Sequence, residues 1–151
     1  VELKGKPDYV AGVVVNPNAR NREVELKRLA RKRDAGAVYV LSQPVFDIDQ
    51  AQAFFEAAKP LGIDIFVGLM PFKSARAFEG IAKVPGIKVA DSILERVRSI
   101  EEPEVARFSL EVAMEIAARV KDSVRGFHVI SGGAPLLAIE LVQRLVSWSR
   151  N

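Results

Sequence analysis

The sequence contains no cysteine, which excludes disulfides, thiolate catalysis and the usual structural zinc sites. It has one histidine, His128, too little imidazole for an ordinary protein-ligated transition-metal centre. No apolar run approaches the ~20 residues of a membrane-spanning helix, and the opening VELKGKPDYV does not read as a signal peptide. A soluble, cytoplasmic protein is the expectation, and Val1 in place of Met reads as processing or trimming. No Ser-His-Asp, HExxH or P-loop pattern is present. Large net charge is absent too: 22 basic against 19 acidic residues leave +3.

What is present fits one globular domain over residues 1–151. Hydrophobic residues make up 49% and charged residues 27%, and the length supports one core rather than two. The basic residues concentrate in Arg20, Arg22, Lys27, Arg28, Arg31, Lys32 and Arg33. Such a run is either a solvated helix face or an anion site in which helix-borne cations meet a phosphate. Nucleic acid fits less well, because no aromatics are interleaved and the rest of the chain is charge-balanced.

Residues 9–15 (YVAGVVV) are largely β-branched without polar alternation, the pattern of a strand covered on both faces. Residues 23–34 read as an amphipathic helix, 37–43 as a second strand and 48–58 as a second helix. A third strand over 63–70 precedes a helix over 74–83 and a Pro85-Gly86 turn. Helices over 90–99 and 101–122, a fourth strand over 126–131 and a helix over 134–147 complete the order. Strands alternating with helices imply a parallel sheet with right-handed crossovers. Four such units make either a small doubly wound sheet or half of a (β/α)8 barrel, since a whole barrel takes ~250 residues. A free half-barrel has two raw edges and should pair with another copy or with a missing half.

In parallel α/β folds the working face lies at the carboxyl ends of the strands. Gln43 stands there, followed by Pro44, which is expected to end the strand pairing. Its amide suits a heteroaromatic ring carrying adjacent donors and acceptors, or else ties down loop backbone. Ser131-Gly132-Gly133-Ala134-Pro135 is either a tight turn or an anion-accepting helix entry. His128, Ile130 and Gly132 share one face, where His128 is either a hydrogen-bonded core histidine or a catalytic one. Asp47 and Asp49 sit at a helix start, where carboxylates serve as caps.

Several segments together resemble the flavin-dependent methylenetetrahydrofolate reductases. They are Asn16-Pro17-Asn18-Ala19-Arg20, Arg28 through Ala37 (RLARKRDAGA) and Ser42-Gln43-Pro44-Val45-Phe46-Asp47. Gly68-Leu69-Met70-Pro71, Val84 through Val89 (VPGIKV) and Gly126-Phe127-His128 follow in the family's order. The resemblance is closest to the reductase part of bifunctional homocysteine S-methyltransferase/methylenetetrahydrofolate reductase chains. It implies strands five to eight of that family's barrel. It further implies FAD as cofactor, NAD(P)H as co-substrate and folate as substrate, methylenetetrahydrofolate being reduced to methyltetrahydrofolate. By the same resemblance, Glu25, Arg28, Arg31 and Lys32 hold the FAD diphosphate and ribose, Asn16 belongs to the cofactor site, and Gln43 hydrogen-bonds the pterin ring.

The family's proton-transfer glutamate and its flavin-proximal aspartate belong to the barrel half that these segments do not match. The family's tyrosine and leucine near the last strand are Ile130 and Gly132 here, and its glutamine and phenylalanine on a helix are Ala77 and Ile81. The resemblance therefore implies a catalytically poor isolated chain that needs a missing N-terminal half-barrel. The alternative is a non-catalytic half-barrel that self-associates through its apolar inner positions, such as Val13, Leu41 and Ile130, with at most a leftover anion site. Either way a homo-oligomer is expected, with no nucleic-acid or membrane partner.

Overall fold

The computed structural model describes Gly5 and residues 9–149; Val1, read above as a trimmed terminus, lies outside them. The elements are β1 (Gly12–Val15), α1 (Arg22–Asp34), β2 (Tyr39–Pro44), α2 (Ile48–Ala58) and β3 (Asp64–Leu69). After them come α3 (Ala75–Ala82), α4 (Asp91–Ser99), α5 (Glu102–Val120), β4 (Gly126–Val129) and α6 (Pro135–Ser149). The four strands form one sheet in the order β1-β2-β3-β4, every neighbouring pair parallel. This is the predicted βα repeat, and it leaves β1 and β4 as open edges.

Local chemistry sets where several helices begin. The side chains of Asn21, Asp47 and Ser74 accept hydrogen bonds from the backbone N–H groups of Val24, Gln50 and Ala77, capping α1, α2 and α3. Pro103 stands in the first turn of α5, where its missing N–H is harmless.

The sheet has two unlike faces. Val15, Val40, Ile65, Val67 and Leu69 are buried against the helices, together with Phe54, Phe55, Ile116 and Leu141. On the other face the register aligns Val14 with Leu41 and Leu41 with Phe66, and Val14 is 50% exposed. Among the described residues no helix covers this face, which is the interior side of a half-barrel. The expectation of a first strand buried on both faces is therefore corrected: β1 is four residues long, and Tyr9 and Val10 before it are exposed. The inner position on β1 is Val14. Val13, assigned inward from the sequence, pairs with buried Val40 and packs against the helix-side core.

Pro44 does not end the pairing of β2. The register shifts between Leu41 and Pro44, and Pro44 aligns with Gly68 of β3. At this bulge the Ser42 hydroxyl accepts from the Gly68 N–H at 2.8 Å and donates to the Gln43 carbonyl at 2.8 Å. A side chain thus supplies the acceptor that the displaced backbone does not.

Candidate functional site

At the carboxyl end of β1 four of the sequence-predicted cofactor residues, Asn16, Glu25, Arg28 and Lys32, are tied to one another or to the strand, and Arg31 stands free beside them. The Asn16 backbone N–H donates to Glu25 Oε1 at 3.1 Å, and Glu25 Oε2 lies 3.4 Å from Arg28 Nη1. Glu25 is buried to 7% exposure, an unusual place for a carboxylate, and these two donors hold it there. Arg28 and Lys32 lie three and seven positions beyond Glu25, so the α-helical period gathers all three on one side of α1. Lys32 Nζ donates to the Val14 carbonyl on the open edge of β1 at 2.6 Å. Arg31 is exposed, its Nε making one long bond of 3.4 Å to the Lys27 carbonyl. The guanidiniums of Arg28 and Arg31 therefore face solvent with most of their donors free. Arg33, at the end of the same basic run, is spent on structure, donating to Asp34 and to the Leu61 carbonyl.

Gln43 sits apart from this group. It is exposed at the bulge of β2, and among the described residues no hydrogen bond joins its side chain to α1 or to the loops. A glutamine tying down adjacent backbone is not what the structure contains. Beside it, His128 Nε2 lies 3.0 Å from the Ser42 carbonyl. A carbonyl only accepts, so Nε2 carries the proton and the ring is a fixed donor. The contact crosses directly over Gly68, where an added Cβ would fall 3.0 Å from that nitrogen. His128 is thus a hydrogen-bonded histidine on the inner face. Ser131 to Ala134 form a tight turn closed by Ala134 N–H to Ser131 O at 2.7 Å, with both glycines at positive φ.

The structure adds a belt that sequence reasoning did not find. Lys88, in the loop after α3, pairs with Asp47 Oδ2 at 2.7 Å and donates to Gln50 Oε1 at 2.8 Å. Gln50 Nε2 donates to the Pro17 carbonyl, and Asn16 Nδ2 donates to the Gly86 carbonyl at 2.9 Å. Together they hold the loop 83–90 across the ends of β1 and β2, beside a Phe46–Val89 bridge. Burial works to raise the Asp47 carboxyl. The hydrogen bonds from Lys88 and the Gln50 N–H, with the Lys88 charge, outweigh it and hold the pKa below the usual value. A hollow of about 610 Å³ opens beside the belt, lined by Asn18, Arg20, Arg22, Gln50 and Lys88 among others. Asn18 Nδ2 bonds the Pro44 carbonyl, and its buried Oδ1 has no partner. These contacts join residues 33 to 70 positions apart, so no local motif announces them.

Among the described residues no group of three or more His, Cys, Asp or Glu side chains is placed to hold a metal ion. None of their helices is long and apolar enough to cross a membrane.

Comparison with known proteins gives this geometry a context. A family described as "Methylenetetrahydrofolate reductase" matches residues 9–144. A probable methylenetetrahydrofolate reductase (NADPH) of Caenorhabditis elegans is 27% identical over 112 residues, covering 72% of this chain and 17% of that protein. The 5,10-methylenetetrahydrofolate reductase of Escherichia coli K12 is 23% identical over 119 residues, covering 76% of this chain and 40% of that one. This chain therefore spans well under two thirds of the length of these relatives. Among solved structures, an uncharacterized protein from Clostridium thermocellum superposes with a TM-score of 0.73 at 19% identity. The superposition covers 91% of this chain and 52% of that one, which is described as binding two copies of 5-methyl-5,6,7,8-tetrahydrofolic acid.

Proposed function

The chain belongs to the methylenetetrahydrofolate reductase family, and we propose that it forms the half of a reductase barrel that carries the FAD diphosphate and faces the folate. In the complete barrel 5,10-methylenetetrahydrofolate is reduced to 5-methyltetrahydrofolate at the expense of NAD(P)H. The observation that carries this reading is the surface of α1, where Arg28 and Arg31 present largely free guanidinium forks beside Lys32. Two planar forks and a point charge within little more than one helical turn suit a diphosphate. Buried Glu25 serves this surface by holding Arg28 and the Asn16 backbone in place. FAD supplies the hydride-carrying chemistry when bound, and the protein supplies grip and orientation.

Gln43 is the residue of this half that meets the pterin. Its exposed amide, free of structural bonds among the described residues, can donate and accept at adjacent ring atoms. It cannot move a proton as an acid, and among the described residues of this single domain, residues 1–151, the strands carry no carboxylic acid on the inner face beyond Asp64 at its lower end. The isolated chain is accordingly a weak catalyst, its acid coming from the other half of the barrel.

The test is a fluorescence titration of the 151-residue chain with FAD, with FMN and ADP as competitors. Saturable binding displaced by ADP is expected, and Arg31→Ala with Lys32→Ala should weaken it by about tenfold or more. FAD affinity unchanged in that double variant would return α1 to a solvated basic face.

A further inference from the structure

We infer that Lys88 is a positioning residue for the cation surface of α1, acting on it through Gln50 and the Asn16–Asn18 segment. The inference deepens the flavin reading and rests on it for the ligand alone. A continuous path of polar contacts carries it. Lys88 Nζ donates to Gln50 Oε1 at 2.8 Å, and Gln50 Nε2 donates in turn to the Pro17 carbonyl at 3.2 Å. Pro17 follows Asn16, whose backbone N–H donates to Glu25 Oε1 at 3.1 Å, while Glu25 Oε2 holds Arg28 Nη1. Among the described residues Lys88 itself has no hydrogen bond or ion pair to α1. Its effect on Arg28 is therefore carried by the residues between them.

The ammonium decides which way the Gln50 amide points. It can only donate and the Pro17 carbonyl can only accept, so with Lys88 on one side and Pro17 on the other the amide has one orientation. Asp47 Oδ2 accepts from the same ammonium at 2.7 Å, so two oxygens converge on Nζ. Without the ammonium those oxygens repel. The amide is then favoured in the reverse sense, with its NH2 toward Asp47 and its oxygen against the Pro17 carbonyl, and the Pro17 link is lost. Other stations on the path are held from a second side, so displacement at Pro17 is passed on rather than absorbed. Asn16 Nδ2 donates to the Gly86 carbonyl and its Oδ1 accepts from the Asn18 N–H, both at 2.9 Å. Buried Asn18 is anchored in turn on the Pro44 carbonyl. Gly86 lies at φ +89°, and a Cβ there would fall 3.0 Å from Asn16 Nδ2, so the loop is pressed against Asn16. The loop 83–90 thus grips the Asn16 segment twice, directly at Gly86 and by relay from Lys88.

The experiment is an FAD titration of the 151-residue chain and its variants, with the Asn16 amide and Arg28 Nε–H resonances recorded before flavin is added. Lys88→Met is expected to raise the dissociation constant about tenfold. Gln50→Leu cuts the same path without changing the charge and should do the same, and the two together should be no worse than either. Lys88→Arg, whose fork can donate to both Asp47 and Gln50, should restore most of the affinity. Lys59→Met removes a cation that pairs with Glu56 just past the far end of α2, and it should leave the affinity as it was. Circular dichroism identifies the variants that fold, and Gln50→Leu carries the test if Lys88→Met does not. Parental affinity in the folded variants would overturn the inference. So would losses that add in the double variant, because Lys88 would then act on the anion by its own charge. A parent chain that binds no FAD would refute the flavin reading, and the resonances then decide this one. Both should shift in Lys88→Met and Gln50→Leu and return in Lys88→Arg, whereas signals that stay in place would refute the positioning role.

Discussion

Gly68 is the residue on which the inner face turns. A Cβ built there would lie 2.8 Å from the Ser42 carbonyl oxygen and 3.0 Å from His128 Nε2, both inside normal contact. The carbonyl is backbone within a bulge and has little room to retreat. Gly68→Ala should therefore cost about 1–3 kcal/mol in denaturant unfolding and detach His128 from Ser42. An alanine variant as stable as the parent would mean that the bulge yields. Asp47 makes a second case, and its sign can be worked out. Its pKa is lowered in the fold from an ordinary value of 3.8, so its stabilising contribution is present above that value and is lost as pH falls through the folded pKa. Replacing Lys88 with Met should flatten the decline in stability below about pH 4. An identical acid limb in the variant would show that the Lys88 pair is not what lowers the pKa.

At the scale of elements, legibility followed the range of the interaction. The caps at Asn21, Asp47 and Ser74 and the βα alternation rest on contacts within a few residues, and the sequence patterns located those elements to within a few positions. The length of β1 did not follow from its residues. Tyr9 and Val10 are good strand formers, yet on the open edge no neighbour pairs with them and they stay outside the strand. Nor could the phase of β1 be read, because a run of three valines carries no polar alternation to say which one points inward. The basic cluster on α1 was legible through its charge. The Lys88 belt was not, since it depends on a loop folded back over distant strand ends. The bulge in β2 was hidden for the same reason, and it yields a prediction at this scale. Ser42→Ala removes the acceptor of the buried Gly68 N–H while adding no bulk. A loss of about 1–3 kcal/mol is expected, the cost of an orphaned buried donor. Should unfolding midpoints coincide within error, the bulge has another acceptor to hand.

At the scale of the whole molecule the governing fact is that, among the described residues, two of four strands have only one neighbour. β2 and β3 pair on both sides, whereas β1 and β4 each leave a ladder unpaired. Lys32, lying on the Val14 carbonyl, supplies one charged contact along the β1 edge. Opening such edges exposes less buried surface than breaking the centre, so amide exchange should be graded across the sheet. In dilute solution, where any partner has dissociated, amides of β1 and β4 should exchange at least ~10-fold faster than those of β2 and β3. Closure acts on the edges first, since only they gain new hydrogen bonds and new cover. Adding the other half of a family barrel should therefore slow exchange in β1 and β4 together, while the central strands change little. Protection rising in β4 alone would point to a one-sided contact instead of a closed ring. Uniform protection with or without that half would mean that the edges are held by something within the chain. The same measurement bears on the flavin reading, because FAD gripped by Arg28, Arg31 and Lys32 touches only the β1 side. Added flavin should protect α1 and the end of β1 and leave β4 as it was.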